Sequence, residues 1–276
     1  MNKKERPIGS DNSSVFIFPD YVLPGEPVSI GYRPLCIEHI VFHCNSQTLR
    51  MDCSGPFNAS DIRYALFPVP RETTDAFFSI DGSIFFTNQK SERFSLTIPV
   101  QAKTFEHEEF SVAPAFSAPP QCEKRRMAVE ASELHTVLSA CSVGPLMELP
   151  WQRPVPGGIS SDFGLSRTIN GCMESVHWGV DLLADDGDPV LAAAPGKIAL
   201  CACHYLGGNT LVIDHGYGVF TLYMHFLKTY AALGQTVLRG EPIGEAGCSG
   251  RVTGSHLHWG LSVLGCYVDA LPLLEG

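Results

Sequence analysis

Three short stretches in the C-terminal half gather side chains able to share a cation or move a proton. The first is His177-Trp178-Gly179-Val180-Asp181. Side chains alternate faces along a strand, so positions 177, 179 and 181 project to one side. His177 and Asp181 then converge across Gly179, whose missing side chain leaves room for an ion. A helix would also bring an i, i+4 pair together, as in the HExxH pattern, but Gly179, Val180 and nearby turn signals favour a strand end. The second stretch, His256-Leu257-His258-Trp259-Gly260, sends both imidazoles to one face and Leu257 to the core. Two histidines on one strand face are costly unless a metal or substrate meets them. The third, Tyr223-Met224-His225, closes an apolar strand, with Tyr223 and His225 on a shared face. His39, His43, His107, His135, His204 and His215 read as satisfied core or surface residues, because a lone histidine on an apolar strand is usually that.

The elements that must hold these residues are mainly strands. Glycine (26) and proline (20) are plentiful and apolar runs are short, which favours strands and turns over long helices. With 276 residues, 45% hydrophobic and 17% charged, the chain has material for two domains with cores. A formal net charge of -10 argues against nucleic acid as a partner, since phosphate binding needs a basic face. No stretch approaches the roughly 18–20 apolar residues of a membrane span. The N-terminus, Met1 to Pro7, has the charge of a signal peptide's start without the apolar run that should follow. The ten cysteines show no C-x-x-C pairing. That makes a cysteine zinc site unlikely, and most of them read as small buried hydrophobes.

Residues 1–13 are polar and read as a disordered tail, and 14–113 as a small β-sandwich of about seven short strands. Asp81-Gly82, between the runs Phe77–Ile80 and Ile84–Phe86, reads as a hairpin turn. Residues 114–150 hold a Pro-rich break and a linking helix, in which Met127, Ala131, Leu134, Val137 and Leu138 recur at helical spacing. From 151 to 276 strand runs such as Thr210–Ile213 and Val219–Tyr223 alternate with Gly-rich turns.

Residues from about 155 to 270 resemble the lysostaphin/LytM-type zinc endopeptidases of bacterial cell walls. The likeness rests on Gly158 to Gly164, the His-x-Gly-x-Asp at 177–181, Asp188 to Gly196 and Gly208 to Gly216. It continues through Leu222 to His225, Gly234 to Gly244 and Gly250 to Gly260. The first half is similar to the β-domain that precedes the peptidase in two-domain members. The resemblance implies an antiparallel β-sheet peptidase domain with an open metal cleft and one zinc per chain, held by His177, Asp181 and His258. His225 and His256 would be an unligated catalytic pair. Such a zinc keeps one position for water and lowers its pKa towards about 7. No candidate carboxylate base is evident, so histidine takes that role. Arg167, Asn170 and Arg251 are candidates to contact an acidic stem peptide, and residues 249–255 to form a cleft wall. Trp178 and Trp259 read as core packing.

The implied substrate is a peptidoglycan peptide, with the D-alanyl to diaminopimelate bond favoured over glycine bridges. It places the protein in the cell envelope or periplasm, or outside the cell. Two other readings compete. A latent or non-catalytic wall-binding module of the same fold would typically lose zinc ligands, and here all are present. A lipoyl- or biotinyl-type carrier, suggested by Gly234 to Gly244, needs a lysine on a hairpin tip, which neither Lys197 nor Lys228 supplies.

Overall fold

The computed structural model describes residues 6–7, 15–17, 19–58, 60–111, 119–171 and 173–274. The tail expected at 1–13, save Arg6 and Pro7, and the Pro-rich break expected at 114–120, save Pro119 and Pro120, lie outside them. The chain is mainly β and divides into two compact units, 1–103 with 146–149 and 276, and 104–145 with 150–275.

The first unit holds β1 (Arg6–Pro7), β2 (Val15–Ile17), β3 (Pro27–Tyr32), β4 (Ile37–Cys44), β5 (Gln47–Asp52), β6 (Arg63–Pro68), β7 (Phe77–Phe86) and β8 (Ser91–Pro99). They form two four-stranded sheets, ordered β1-β2-β3-β6 and β5-β4-β7-β8. Period-two burial supplies the core: Ile40, Phe42 and Cys44 point inward from β4, and Phe94, Leu96 and Ile98 from β8. Phe42 joins the sheets, its ring 5.1 Å from Phe67 of β6 and 5.8 Å from Phe94 of β8. The hairpin expected at Asp81-Gly82 is absent. β7 runs unbroken through both residues and turns only after Phe86. Gly82 serves packing instead: a Cβ there would come within 2.3 Å of the Phe94 ring.

The second unit holds β9 (His107–Phe110), α1 (Gln121–Leu138), β10 (Ile159–Ser161), β11 (Ser166–Ile169), β12 (Met173–Val176), β13 (Val180–Leu183), β14 (Pro189–Leu191) and β15 (Gly196–His204). It continues with β16 (Gly208–Asp214), β17 (Val219–Phe226), β18 (Lys228–Thr229), β19 (Thr236–Val237), β20 (Pro242–Glu245), β21 (His256–Val263) and β22 (Cys266–Val268). The main sheet has eight strands in the order β10-β13-β21-β17-β16-β15-β19, with β22 on β21. Two three-stranded sheets, β12-β11-β9 and β14-β20-β18, complete it.

The helix read as a linker belongs to this second unit. Leu138 packs with Leu200, Val212, Phe220 and Leu222 of the main sheet, and Leu134 and Val137 border that cluster. Only Leu138 is fully buried, so polar ties do much of the docking. Arg126 donates to the Cys203 carbonyl (2.9 Å), Glu130 accepts the Tyr205 N–H (2.9 Å), and Glu133 meets His204 Nε2 (3.1 Å).

The cysteines differ from expectation. Among the nine described, only Cys44 and Cys53 are buried, and six are exposed. Of the exposed six, Cys122 lies in α1 and the others on strands or loops that the core does not cover. Among the described residues no helix is long and apolar enough to cross a membrane.

Candidate metal centre

β13 and β21 pair antiparallel with Asp181 directly opposite His258, so the two side chains leave the sheet side by side. His177 arrives differently. It lies between β12 and β13, outside any strand, so strand alternation does not aim it. Its backbone does: its N–H donates to the Leu165 carbonyl (2.9 Å), and its own carbonyl accepts the Gly164 N–H (2.8 Å). Gly179 also works otherwise than expected. A Cβ there would sit 2.7 Å from Cε1 and Nε2 of His258. The missing side chain makes room for a ligand ring.

The three side chains meet at short range. His177 Nε2 and His258 Nδ1 each lie 2.9 Å from Asp181 Oδ1, and 3.0 Å from one another. His177 Nδ1 lies 2.8 Å from the Asp162 carbonyl. A carbonyl only accepts, so Nδ1 carries the proton and, in the neutral ring, Nε2 presents a bare lone pair. Three acceptors at this spacing repel unless positive charge lies among them. A single proton bridges one pair at a time, whereas a divalent cation satisfies all three. Two imidazoles and a carboxylate are a donor set that suits such an ion. Among the described residues this is the one His/Cys/Asp/Glu group able to hold a metal.

Burial raises the Asp181 pKa, but the His177 and His258 rings against its carboxyl outweigh it and hold it far below the usual carboxylate range. Burial lowers His258, against the pull of Asp181. His225 is lowered to about 3, by burial first and then by His258 and His256.

His225 and His256 flank the triad, their ring centroids 4.9 Å apart. His225 Nδ1 donates to the Ser249 carbonyl (2.8 Å) and His256 Nδ1 to the Gly254 carbonyl (2.9 Å), which leaves both Nε2 atoms to the cleft. His256 Nε2 stands 3.7 Å from Asp181 Oδ1. The expected shared face of Tyr223 and His225 is not found. Tyr223 is buried, its hydroxyl accepting the Ala193 N–H (3.0 Å), while His225 lines the cleft beside Met224. A β-bulge causes this: Asn209 pairs with Phe226 and Leu211 with Tyr223, so Met224 and His225 both oppose Thr210. His225 takes φ 69° and turns to the face that alternation would deny it.

The cleft measures about 530 Å³. Arg167 lies at the triad, donating to Asp181 Oδ2 (3.2 Å) and Ser161 Oγ (2.6 Å), with Glu108 Oε2 3.7 Å from its Nε. Arg251, Val252 and Thr253 line a wall, as expected for residues 249–255. Asn170 does not join them. It forms, at φ 52°, the turn between β11 and β12. Trp259 is core, but Trp178 lines the cleft, stacked on Tyr267 at 5.9 Å. Sequence reasoning missed Glu108 and Ser161, which reach the site through the pairings β9–β11 and β10–β13. Only the Ser160-Ser161 motif hinted at either.

Two imidazoles and a carboxylate converge on the open face of an antiparallel sheet, with two more imidazoles beside them, which is a group able to hold a metal ion. Residues 175–270 match the sequence model of peptidase family M23. Peptidoglycan DD-endopeptidase ShyA of Vibrio cholerae serotype O1 is 41% identical over 115 residues, 41% of this chain and 26% of that protein. DD-carboxypeptidase/endopeptidase Mpg of Neisseria meningitidis serogroup B is 40% identical over 121 residues, 42% of this chain and 28% of that protein. The matched part thus spans about a quarter of the length of these curated relatives. A peptidase M23 crystal structure from Pseudomonas aeruginosa superposes with a TM-score of 0.65 at 22% identity, over 91% of this chain and 94% of that one, and shares the fold.

Proposed function

We propose that this protein is a zinc-dependent endopeptidase that cuts peptide cross-links or stems of peptidoglycan, with the D-alanyl to diaminopimelate bond as its target. The observation that carries this reading is the convergence of His177 Nε2, Asp181 Oδ1 and His258 Nδ1 beside two unligated imidazoles. The substrate class follows the matching relatives, which are named as peptidoglycan DD-endopeptidases. Such a substrate places the protein in the cell envelope or outside the cell.

His177, Asp181 and His258 hold the zinc. When bound, zinc supplies Lewis acidity for activating water and polarising a peptide carbonyl. His225 and His256 do the proton work through their Nε2 atoms. One takes the proton of the attacking water and, so protonated, stabilises the oxyanion and returns that proton to the leaving amine. The carbonyls of Ser249 and Gly254 fix both tautomers for this task. Trp178 and the 251–253 wall confine the peptide.

Metal analysis of the purified chain, with digestion of wall sacculi in the presence and absence of chelator, tests the reading. One zinc per chain is expected, with chelator-sensitive release of muropeptides. His258→Ala should abolish both. His225→Ala should keep zinc and lose about 10²–10⁴-fold in rate. A wild-type protein without zinc, or full cleavage by His258→Ala, overturns it.

A further inference from the structure

The cleft contains two guanidinium groups in opposite circumstances. Arg167 donates to Asp181 and Ser161 and lies within ion-pair distance of Glu108. Arg251 is half-buried in the same cleft, and no carboxylate among the described residues lies within ion-pair distance of it. Arg167 is its charged neighbour, so a second cation faces it where an anion would be favourable. Burial and Arg167 both hold its pKa below the ordinary arginine value. Leaving a charge partly desolvated and unpaired beside a like charge costs stability. Such a group persists where a ligand supplies the missing partner.

The backbone around Arg251 is held rather than loose. Its N–H donates to the Leu206 carbonyl (2.8 Å). Gly250, at φ 82°, lies so close to the β15–β16 turn that a Cβ would meet Gly208 N at 2.4 Å. Ser249 Oγ accepts the Asn209 N–H (2.9 Å) and donates to the Phe226 carbonyl (2.8 Å). The same Ser249 supplies the carbonyl that orients His225. Arg251 is therefore fixed in register with a proposed catalytic imidazole, two residues from its anchor.

We infer that Arg251 is the receptor for a free carboxylate on the substrate residue that supplies the leaving amine. This rests on the peptidase reading above and sharpens it. In a D-alanyl to diaminopimelate cross-link, the diaminopimelate centre next to the scissile amide carries a carboxylate. A glycine bridge carries none there, and amidation of diaminopimelate removes the charge. Arg251 then selects bonds flanked by an anion. Asp181 Oδ2 and Glu108 keep Arg167 from competing for it.

The test uses the zinc-loaded full chain and two purified cross-linked muropeptides, identical except that the diaminopimelate carboxylate is free or amidated. Binding is read by calorimetry and hydrolysis by mass spectrometry. Wild type should prefer the free acid by about 100-fold in kcat/KM and in Kd, as for other charge-assisted pairs of this kind. Arg251→Gln should erase that preference, and Arg251→Lys should restore part of it, with zinc content unchanged in both. Equal losses on the two peptides, or an undiminished preference in Arg251→Gln, overturn the inference. If wild type hydrolyses neither peptide, the peptidase reading fails, and calorimetry alone still decides the carboxylate preference.

Discussion

The two faces of the main sheet treat histidine in opposite ways. On the core side, His215 is buried and both its nitrogens are matched: Nδ1 donates to the Pro195 carbonyl (2.8 Å), and Nε2 meets Thr221 Oγ1 (2.7 Å). Thr221 in turn meets the Tyr223 hydroxyl, which accepts the Ala193 N–H. That chain ends within the protein. On the cleft side, His177, His225 and His256 each tie Nδ1 to a carbonyl and leave Nε2 for something else. A histidine with both nitrogens satisfied is structure. One held by a single nitrogen, with others converging on it, is free to do chemistry with the other.

The sharpest way to break this contrast is to crowd the cleft side without touching a ligand. Gly179→Ala forces a methyl against the His258 ring and the Trp259 carbonyl, 2.7 and 2.8 Å away. Zinc affinity by competition with a chelator should fall at least about 100-fold, since ligand placement of this kind tolerates little error. Unchanged affinity would mean that the ring moves freely and that Gly179 does not set the cradle.

A smaller effect is expected at Arg167, a positioning residue that acts through Asp181. Its hold on Oδ2 leaves Oδ1 to face the imidazoles. Arg167→Gln should weaken zinc binding by about 10–100-fold, the usual cost of losing a partner of a metal ligand. Arg167→Lys should recover part of it. A loss of catalytic rate with normal zinc affinity would move Arg167 from positioning to substrate contact.

The core side should respond in stability alone. Burial lowers His215 from its ordinary 6.5 to about 4. The folded state therefore favours the neutral ring, and the unfolded chain binds the extra proton between those values. The contribution is complete above pH 6.5 and is lost as pH falls towards 4, to a total of about 3 kcal/mol. All three tryptophans lie in the second unit, so urea unfolding followed by their fluorescence reports on it. His215→Phe should be less stable at pH 7 by about 1–3 kcal/mol, with a shallower fall from pH 6.5 to 4 and unchanged zinc binding. A pH slope equal to wild type would place the titration elsewhere.

Much of this was legible in the residues. The His256–His258 face follows from simple alternation, with Leu257 buried between two half-buried imidazoles, whereas β16 and β17 were legible as short apolar runs because both their sides are packed. Reading failed where the backbone departs from alternation or where a partner is remote. His225 reaches the cleft through a bulge with positive φ, which no spacing rule foretells for a non-glycine residue. Gly82 looked like a turn because glycine allows one, yet a ring 12 residues further along the chain was the reason for it. The helix was visible by its period, but its docking depends on Cys203, His204 and Tyr205, far along the chain. Arg167 was singled out for substrate, and its tie to Asp181 went unseen, since that depends on how β11 is carried towards β13.

The orienting acceptors of His177, His225 and His256 are main-chain carbonyls of Asp162, Ser249 and Gly254. Every residue type owns such an oxygen, so what these loops transmit is contour length and not side-chain identity. Evolution can rewrite Asp162 and Gly254 cheaply, whereas inserting or deleting one residue there would rotate an imidazole out of line. In a deep mutational scan those two positions would be nearly silent to substitution and vivid to indels, while Ser249, whose hydroxyl also ties its loop to Asn209 and Phe226, would answer to both.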